Sequence, residues 1–415
     1  MNKSLLFLLF VFISFTFAIK GPTHKSIRAY SMGNAHIAVV DDKEAIYYNY
    51  AGLNQINRLG NYELRPRTGY YPDNYLDMRL NVGSAGGIEK FIDAYHTAKT
   101  FERLYNRAEK AADKADKDKM DVFLDSLSKH EHLANDINDF DHQLLNLMVK
   151  FDAELAFHNF GGAVWVEGNV NPYLDGGLVV PMATLDTFYI DAVIQAGGAY
   201  GITETFMVGA GLKLAKRHQI KTFSVDVGNF STIEDTLSNR LDNGEEDVFK
   251  FSDIGVGMDF GILWQFAREF RLGASIRNVF FNELDKETVT PDLGFGINYS
   301  PVFCNRNTAY ARKFNIALDY ENALNDDKNY KLLSHINFGM EFEQVLLAIP
   351  GYENTYRFLK LRLAGGFKGG YPTAGVGLEV FRFFDFQIAT WSEETGYYTG
   401  QAENRYYMAE LSLGF

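Results

Sequence analysis

The sequence predicts an all-β transmembrane fold: an antiparallel β-barrel of about 14 strands. Three observations predict it. Apolar and polar residues alternate with period two in segment after segment from Val149 onward. The chain opens on an export signal and has no other apolar run near the ~20 residues that a membrane helix needs. Its final stretch, Arg405 to Phe415, alternates to the last residue, with Tyr407, Ala409, Leu411, Leu413 and Phe415 on one face and Met408, Glu410, Ser412 and Gly414 on the other. A strand with one apolar and one polar face suits a sheet between lipid and water. An edge strand of a soluble β protein is the competing reading of that stretch alone.

Residues 1–18 form a separate element. Lys3 supplies a positive start, Leu5 to Phe17 an apolar core, and Thr16-Phe17-Ala18 a small-residue cleavage site. This is the pattern of a secretory signal removed before folding. The net charge of −13 argues against a nucleic-acid surface. Cys304 is the single cysteine, so no intrachain disulfide forms, and no cysteine stands at the cleavage site to take a lipid anchor. Aromatic residues are 15% of the chain, mostly Phe and Tyr, which suits interfacial girdles as well as strands.

Residues 28–53 carry a dense set of small and acidic positions: Arg28, Met32, Gly33, Ala35, Ala38, Asp41, Asp42, Tyr48, Asn49, Ala51, Gly52 and Leu53. Read by themselves they make a strand and a turn able to pack closely on other backbone. Their order, R-x-x-x-M-G-x-A-x-x-A-x-x-D-D followed by Y-N-x-A-G-L, resembles the opening of the FadL-like outer-membrane barrels, where the second part reads Y-x-N-P-A-G-L. Tyr50 stands where that family has Pro, so the rigid turn that Pro presets is not assured. A helical insert after the first strands, the repeated hairpins and the closing loop Trp391 to Gln401 resemble most the TraF-type branch, named for a conjugal transfer operon and related to PorV-like barrels. The resemblance implies an N-terminal plug, or hatch, over residues 19–60. It also implies that the terminal Phe415, with Leu413, Leu411 and Tyr407 before it, is read by the barrel-assembly machinery.

Residues 61–85 hold the first barrel strand, around Leu76 to Val82. A further strand at Tyr62 to Thr68 would flip the side on which the helical insert is placed. From residue 86 to 148 the period changes to three and four, through Ile88, Phe91, Ile92, Tyr95, Phe101, Leu104, Tyr105 and Ala108, then Phe123, Leu124, Leu127, Ile137, Phe140, Leu144 and Leu147. This predicts amphipathic helices too polar to enter lipid. His130 and His132 flank Glu131, but a His-x-His pair on a helix points its rings apart, and no third ligand is spaced to join them.

Residues 149–415 supply the remaining strands. Outward sets include Phe151-Ala153-Leu155-Phe157, Ala163-Trp165, Leu212-Leu214, Ile254 through Trp264 at even positions, and Phe384-Phe386-Ile388. The opposite face carries Asp152, Glu154, Asp259, Asp319, Glu321, Glu341, Glu343, Lys360, Arg362 and many glycines. In a barrel these line the lumen, and the glycines leave room for a plug or lid. With the C-terminus in the periplasm, the connections 158–160, 201–204, 267–269, 301–312, 344–356 and 382–383 fall on that side. Those at 171–187, 216–248, 279–291, 322–333, 369–372 and 392–403 fall outside, as does the helical insert. The acidic residues Glu234, Asp235, Asp242, Glu245, Glu246 and Asp247 lack the Asp-x-Asp-x-Asp spacing of a Ca²⁺ loop and read as solvated.

No nucleophile–base–acid set, phosphate-binding glycine loop or Cys/His metal spacing is present, so the sequence points to no enzyme, cofactor or metal site. The expected location is the bacterial outer membrane, with its lipid as the first partner. Two functions stay open. One is passive, FadL-like passage of hydrophobic or amphipathic small molecules. The other is a PorV-like or conjugation-associated barrel that docks an exported protein.

Overall fold

The computed structural model describes residues 18–56, 74–86, scattered positions from 96 to 129, 146–175, 182–220, 223–226, 254–281, 283–284, 287–304, 310, 312–324, 332–350, 355–381, 383–394, 399–401 and 403–414. Phe415, Tyr62–Thr68, His130–His132 and the named acidic residues of the 216–248 loop lie outside them.

Fourteen strands close into one antiparallel cylinder: β2 (Asn74–Ala85), β3 (Asn146–Phe157), β4 (Phe160–Asp175), β5 (Met182–Gly201), β6 (Phe206–Ile220), β8 (Gly255–Ala267), β9 (Phe270–Val279), β12 (Asp292–Tyr299), β13 (Arg312–Tyr320), β14 (Ile336–Pro350), β15 (Thr355–Lys368), β16 (Tyr371–Val380), β17 (Phe384–Glu394) and β18 (Glu403–Gly414). Each pairs with the next, and β18 returns to β2, with Leu411 opposite Leu80. Closure leaves no barrel edge unpaired, which lipid requires because it offers backbone groups no hydrogen bond. Four short strands among the described residues lie outside the cylinder proper. β7 (Phe223–Asp226) extends the sheet beside β5, β10 (Glu283–Leu284) and β11 (Glu287–Thr290) form a hairpin, and β1 (Ala18–Lys20) adds parallel to β11.

The alternation fixes the two faces. On β3, Phe151 is 49% exposed while Asp152 is 0%. On β8 burial switches at every residue from Gly255 to Phe266. Tyr407 and Leu411 face out on β18, between buried Met408, Glu410 and Ser412. The outer surface is a belt of Leu, Val, Ile, Phe and Met side chains, and the inner one carries the charges. An apolar outside around a charged inside places the barrel in the outer membrane. No helix among the described residues is long and apolar enough to cross a membrane.

The structure corrects β4. Ala163 and Trp165 point into the lumen, and Val164 and Val166 face lipid; Trp165 is 1% exposed and Val164 47%. From Ala163 to Val166 both faces of this strand are apolar, so period two could not assign them. The strands also run longer than expected. β3 begins at Asn146, inside the range assigned to the insert, and β14 and β15 continue to Pro350 and from Thr355.

The end that carries Gly414 holds the connections after β3, β5, β8, β12, β14 and β16. The opposite end holds those after β2, β4, β6, β9, β13, β15 and β17, so the connection from Ala85 to Asn146 leaves and re-enters the sheet there. Described positions within it are helical, with Leu104, Ala108 and Ala112 buried at a spacing of four, which is one helix face. The β15–β16 turn is Gly369-Gly370, both at positive φ (57° and 95°), where a side chain would be strained.

Residues 21–56 lie inside the cylinder. They begin at β11, in the connection after β9, and end at the opposite mouth, where Leu53 O accepts from Asn159 N at 3.2 Å in the β3–β4 turn. The segment therefore runs the length of the lumen. It comprises helical turns at Ile27–Ser31 and Ala45–Tyr48 and a 3₁₀ turn at Tyr50–Gln55.

Wall glycines set the contact. A Cβ on Gly339 would sit 2.1 Å from Met32 O. We expect Gly339→Leu to leave the barrel assembled, with its usual shift in migration between boiled and unboiled samples, while raising protease cleavage within 21–56. Loss of the migration shift instead would show that the glycine serves barrel closure.

Candidate functional site

The site is the interface between the inner segment and the wall. Its central group is Arg28. Nε donates to Glu341 Oε2 and Nη2 to Glu341 Oε1, both at 2.6 Å, while Nη1 reaches Asp41 Oδ1 at 3.1 Å and Asp42 Oδ2 at 2.5 Å. One planar guanidinium thus ties β14 to two acids of its own segment, a fork that lysine cannot form. Lys313 of β13 also pairs with Asp41. Removing one partner of such a buried set typically costs about 3–5 kcal/mol, because the remaining charge is left without water.

A second node reverses the polarity. The wall contributes the cation Arg79, whose Nη1 reaches Glu44 Oε1 at 2.7 Å and Nη2 reaches Glu154 Oε2 at 2.5 Å. Lys43 of the segment joins it, 2.6 Å from Asp77 Oδ2 and 3.0 Å from Glu154 Oε1. Tyr47 OH donates to Glu154 Oε2 at 3.0 Å. Elsewhere the wall reads the segment's backbone. Asp319 Oδ2 accepts from His36 N at 2.6 Å and Ile37 N at 2.7 Å, Gln195 Nε2 donates to Ile46 O at 3.0 Å, and Thr373 Oγ1 donates to Ser31 O at 3.0 Å.

The remaining motif residues are packed here too. Gly33 has φ +66° and lies against the Phe338 and Phe367 carbonyls, so a side chain there meets both strain and backbone. Met32 and Ala35 are buried beside the β13–β15 wall. Asp42 Oδ1 accepts from Glu44 N at 3.0 Å, closing a local side-chain turn just before the helical turn at Ala45. Asn49 caps the next turn, accepting from Ala51 N at 3.1 Å, and its amide donates to Ile37 O and Ile262 O at 3.0 Å. Gly52 lies against Val40 O, and Leu53 against Gly161. The C-terminal set of Tyr407, Leu411 and Leu413 belongs to the outer surface of β18, away from this interface.

Sequence reading missed three groups. Tyr50, the departure from the motif, lays its ring over Gly197 and Gly211 and its backbone against Gly209; those wall glycines are its only signal in the sequence. Arg79 gave none beyond its alternation. His24 stacks on Tyr47 with ring centroids 3.6 Å apart, meets Trp165 edge-on, and lies 2.9 Å from Lys150 Nζ and 3.2 Å from Asp152 Oδ1. Around Tyr47 and Tyr50 an apolar cluster joins segment to wall through Ile46, Leu53, Trp165, Val193, Met207 and Leu263.

Fold and site together define a transmembrane β-barrel whose lumen is occupied by its own N-terminal segment. The chain belongs to the family of the F plasmid transfer operon protein TraF, which matches residues 80–336, more than half of it. Among solved structures it is similar to the Ralstonia pickettii toluene transporter TbuX, at 11% identity over 94% of this chain and 97% of that one, with a TM-score of 0.46. It is also similar to the P. putida toluene transporter TodX (11%, 94% and 97%, TM-score 0.41) and to a Pseudomonas aeruginosa FadL homologue (8%, 96% and 99%, TM-score 0.43). No curated protein matches the sequence. Among the described residues no group of three or more His, Cys, Asp or Glu side chains is placed to hold a metal ion.

Burial, with Lys150 beside it, pushes His24 down from 6.5 to about 4 against the pull of Asp152. Burial alone would raise the Asp41 and Glu44 carboxyls, but Lys313 and Arg28 on the first and Arg79 on the second outweigh it and hold both well below the usual range. A histidine depressed in the docked state binds its proton only after release. Docking is therefore at full strength above 6.5 and weakens as pH falls from 6.5 to about 4, while the two acids stay charged throughout. We expect the protection of amides in residues 21–31 against hydrogen exchange, relative to their intrinsic rates, to fall across that window and His24→Asn to flatten the dependence. An unchanged profile in the variant would remove His24 from the account.

Proposed function

We propose that the protein is a plugged outer-membrane channel for the passive passage of hydrophobic or amphipathic small molecules, with residues 19–60 as the plug and no enzymatic step. The observation that carries this reading is the apolar cluster between plug and wall. A hydrated ion loses its water there at high cost, whereas an apolar body does not. The ionic nodes at Arg28 and Arg79 then hold the plug against the wall by contacts that can exchange with water as it shifts. The expected result is that proteoliposomes of the full chain take up a neutral lipophilic dye faster than empty liposomes, without a matching rise in ion leakage. Deletion of residues 21–56 should add ion conductance. Dye uptake no faster than in empty liposomes would end this reading.

A second reading is favoured by membership of a transfer-operon family and by the connection between β2 and β3, which leaves and re-enters the sheet at the mouth opposite the C-terminus. In it the barrel docks an exported protein. Detergent extracts of cells making a tagged chain would then yield a stoichiometric partner that is lost on deleting 87–145. We also assign the outward row Tyr407, Leu411 and Leu413, with terminal Phe415, to recognition by the barrel-assembly machinery. Phe415→Ala should lower the fraction of chain that migrates as folded barrel, and an unaltered fraction would refute the assignment.

A further inference from the structure

The two ionic nodes between segment and wall differ in their charge. Around Arg28, the cations Arg28, Lys313 and Arg362 meet the acids Asp41, Asp42, Glu341 and Glu343, and the charge of Arg271 acts on Asp41 from further off. Four cations thus answer four acids. Around Arg79 the match fails. Arg79 reaches Glu44, Glu154 and Glu410 through its Nη atoms and Asp152 through Nε, Lys43 reaches Glu154 and Asp77, and Lys150 reaches Asp152. Three cations therefore face five acids among the described residues. The His24 ring beside Asp152 adds no charge, because burial keeps it neutral. Two negative charges are left over where water does not reach: Glu44, Glu154, Glu410 and Asp152 are each no more than 2% exposed. Buried charge without a counter-charge is costly.

The surplus coincides with oxygen atoms that no donor satisfies. Glu410 Oε1 accepts from Gln387 Nε2 at 3.4 Å, but its Oε2 has no hydrogen bond and lies 3.6 Å from Arg79 Nη1. Glu44 gives Oε1 to Arg79 and leaves Oε2 without a donor. Asn81 is a third and independent case, since it carries no charge. It stands directly opposite Glu410 in the β2–β18 register, is 0% exposed, and its Oδ1 has no partner. Its Nδ2 donates to Asp152 Oδ2 at 3.1 Å, on the β3 side, which turns Oδ1 toward β18 and Glu410. Turning the amide over would set Oδ1 against the Asp152 carboxylate instead. Buried polar atoms ordinarily have a partner. Oxygen atoms without donors, beside a surplus of two negative charges, are the ligands of a hard divalent cation. Calcium accepts an irregular oxygen shell, whereas magnesium demands a near-octahedral one.

We propose that Glu44, Glu410 and Asn81 form a calcium site, with the Asn81 amide in the place of a third acid. Glu44 belongs to the inner segment, Asn81 to the first strand of the barrel and Glu410 to the last. The ion clamps the segment onto the seam where β18 returns to β2. The site is independent of what the barrel conducts.

The test is equilibrium dialysis of radioactive calcium against the full chain in a non-ionic detergent, after treatment with a chelator. We expect one-to-one binding with a dissociation constant of about 10⁻³ M or tighter, the range of extracellular calcium modules. Glu410→Gln keeps the shape of the side chain and lessens the surplus charge, so the barrel should still assemble, while calcium affinity falls about tenfold or more. Asn81→Asp adds a charged ligand and should tighten binding. Calcium should also raise the temperature at which the shift in migration between boiled and unboiled samples is lost, in the unaltered chain but not in Glu410→Gln. No calcium bound by the unaltered chain would overturn the proposal, the surplus then being held by protons. Binding that Glu410→Gln leaves undiminished would overturn it too, since the ion would then sit elsewhere, as on the acidic residues of the 216–248 loop. If Glu410→Gln fails to assemble, Asn81→Asp decides, and binding no tighter than in the unaltered chain would overturn the assignment.

Discussion

A charge inside a lipid-embedded cylinder can be neutralised only by other groups inside it. That constraint organises this molecule. The wall presents Asp152, Glu154, Asp319, Glu321 and Glu341 to an interior that bulk water barely reaches. The inner segment answers with Arg28 and Lys43 and with backbone donors at His36 and Ile37. The wall returns the exchange at Arg79, which takes up Glu44. Neither surface is satisfied alone: an empty barrel would strand its acids, and a free segment would lose its partners to water. The desolvation cost of each ion makes pairing a condition of the docked state rather than a bonus.

How much of this could be read from the sequence depends on whether the signal is local. The strands could be read because alternation is a property of neighbours. Gly255 to Phe266 switches face at every step, and the residues expected to face lipid on β8 and β17 do so. β4 failed where both faces are apolar, and Trp165 turned inward to meet His24. The interface was half legible. Arg28, Asp41, Asp42 and Asn49 stand out as a patterned group, but Arg28 lies 313 residues from Glu341 in the chain, and no local pattern announces such a pair. Arg79 and His24 owe their roles entirely to what the closed sheet brings opposite them.

The departure at Tyr50 shows how a local rule can be replaced by a packing one. Proline would preset the backbone at the entry to this turn. Here Asn49 does part of that work by capping the turn with its side-chain oxygen, and Tyr50 fixes the rest, its ring lying on Gly197 and Gly211 and its backbone on Gly209. The anchor has moved from a covalent ring to a contact spread over β5 and β6. Wall and segment are consequently specified together, since an alanine at any of the three glycines would displace the tyrosine.

The same logic explains why the contact divides into two kinds. Where the wall offers glycine, as at Gly339 and Gly366 against Met32, the segment's backbone comes within van der Waals range of the sheet itself, and little depends on side-chain rotamers. Where the wall offers charge, the segment stands off at side-chain length and is held by directional bonds whose strength depends on the exclusion of water. A shift of the segment by a few tenths of an ångström would be opposed at once by the glycine contacts, which are steep, but only gradually by the ion pairs, which fall off with distance slowly. The glycines therefore set where the segment sits and the charges set how firmly, so substitutions at the two kinds of position perturb different properties of one docked state.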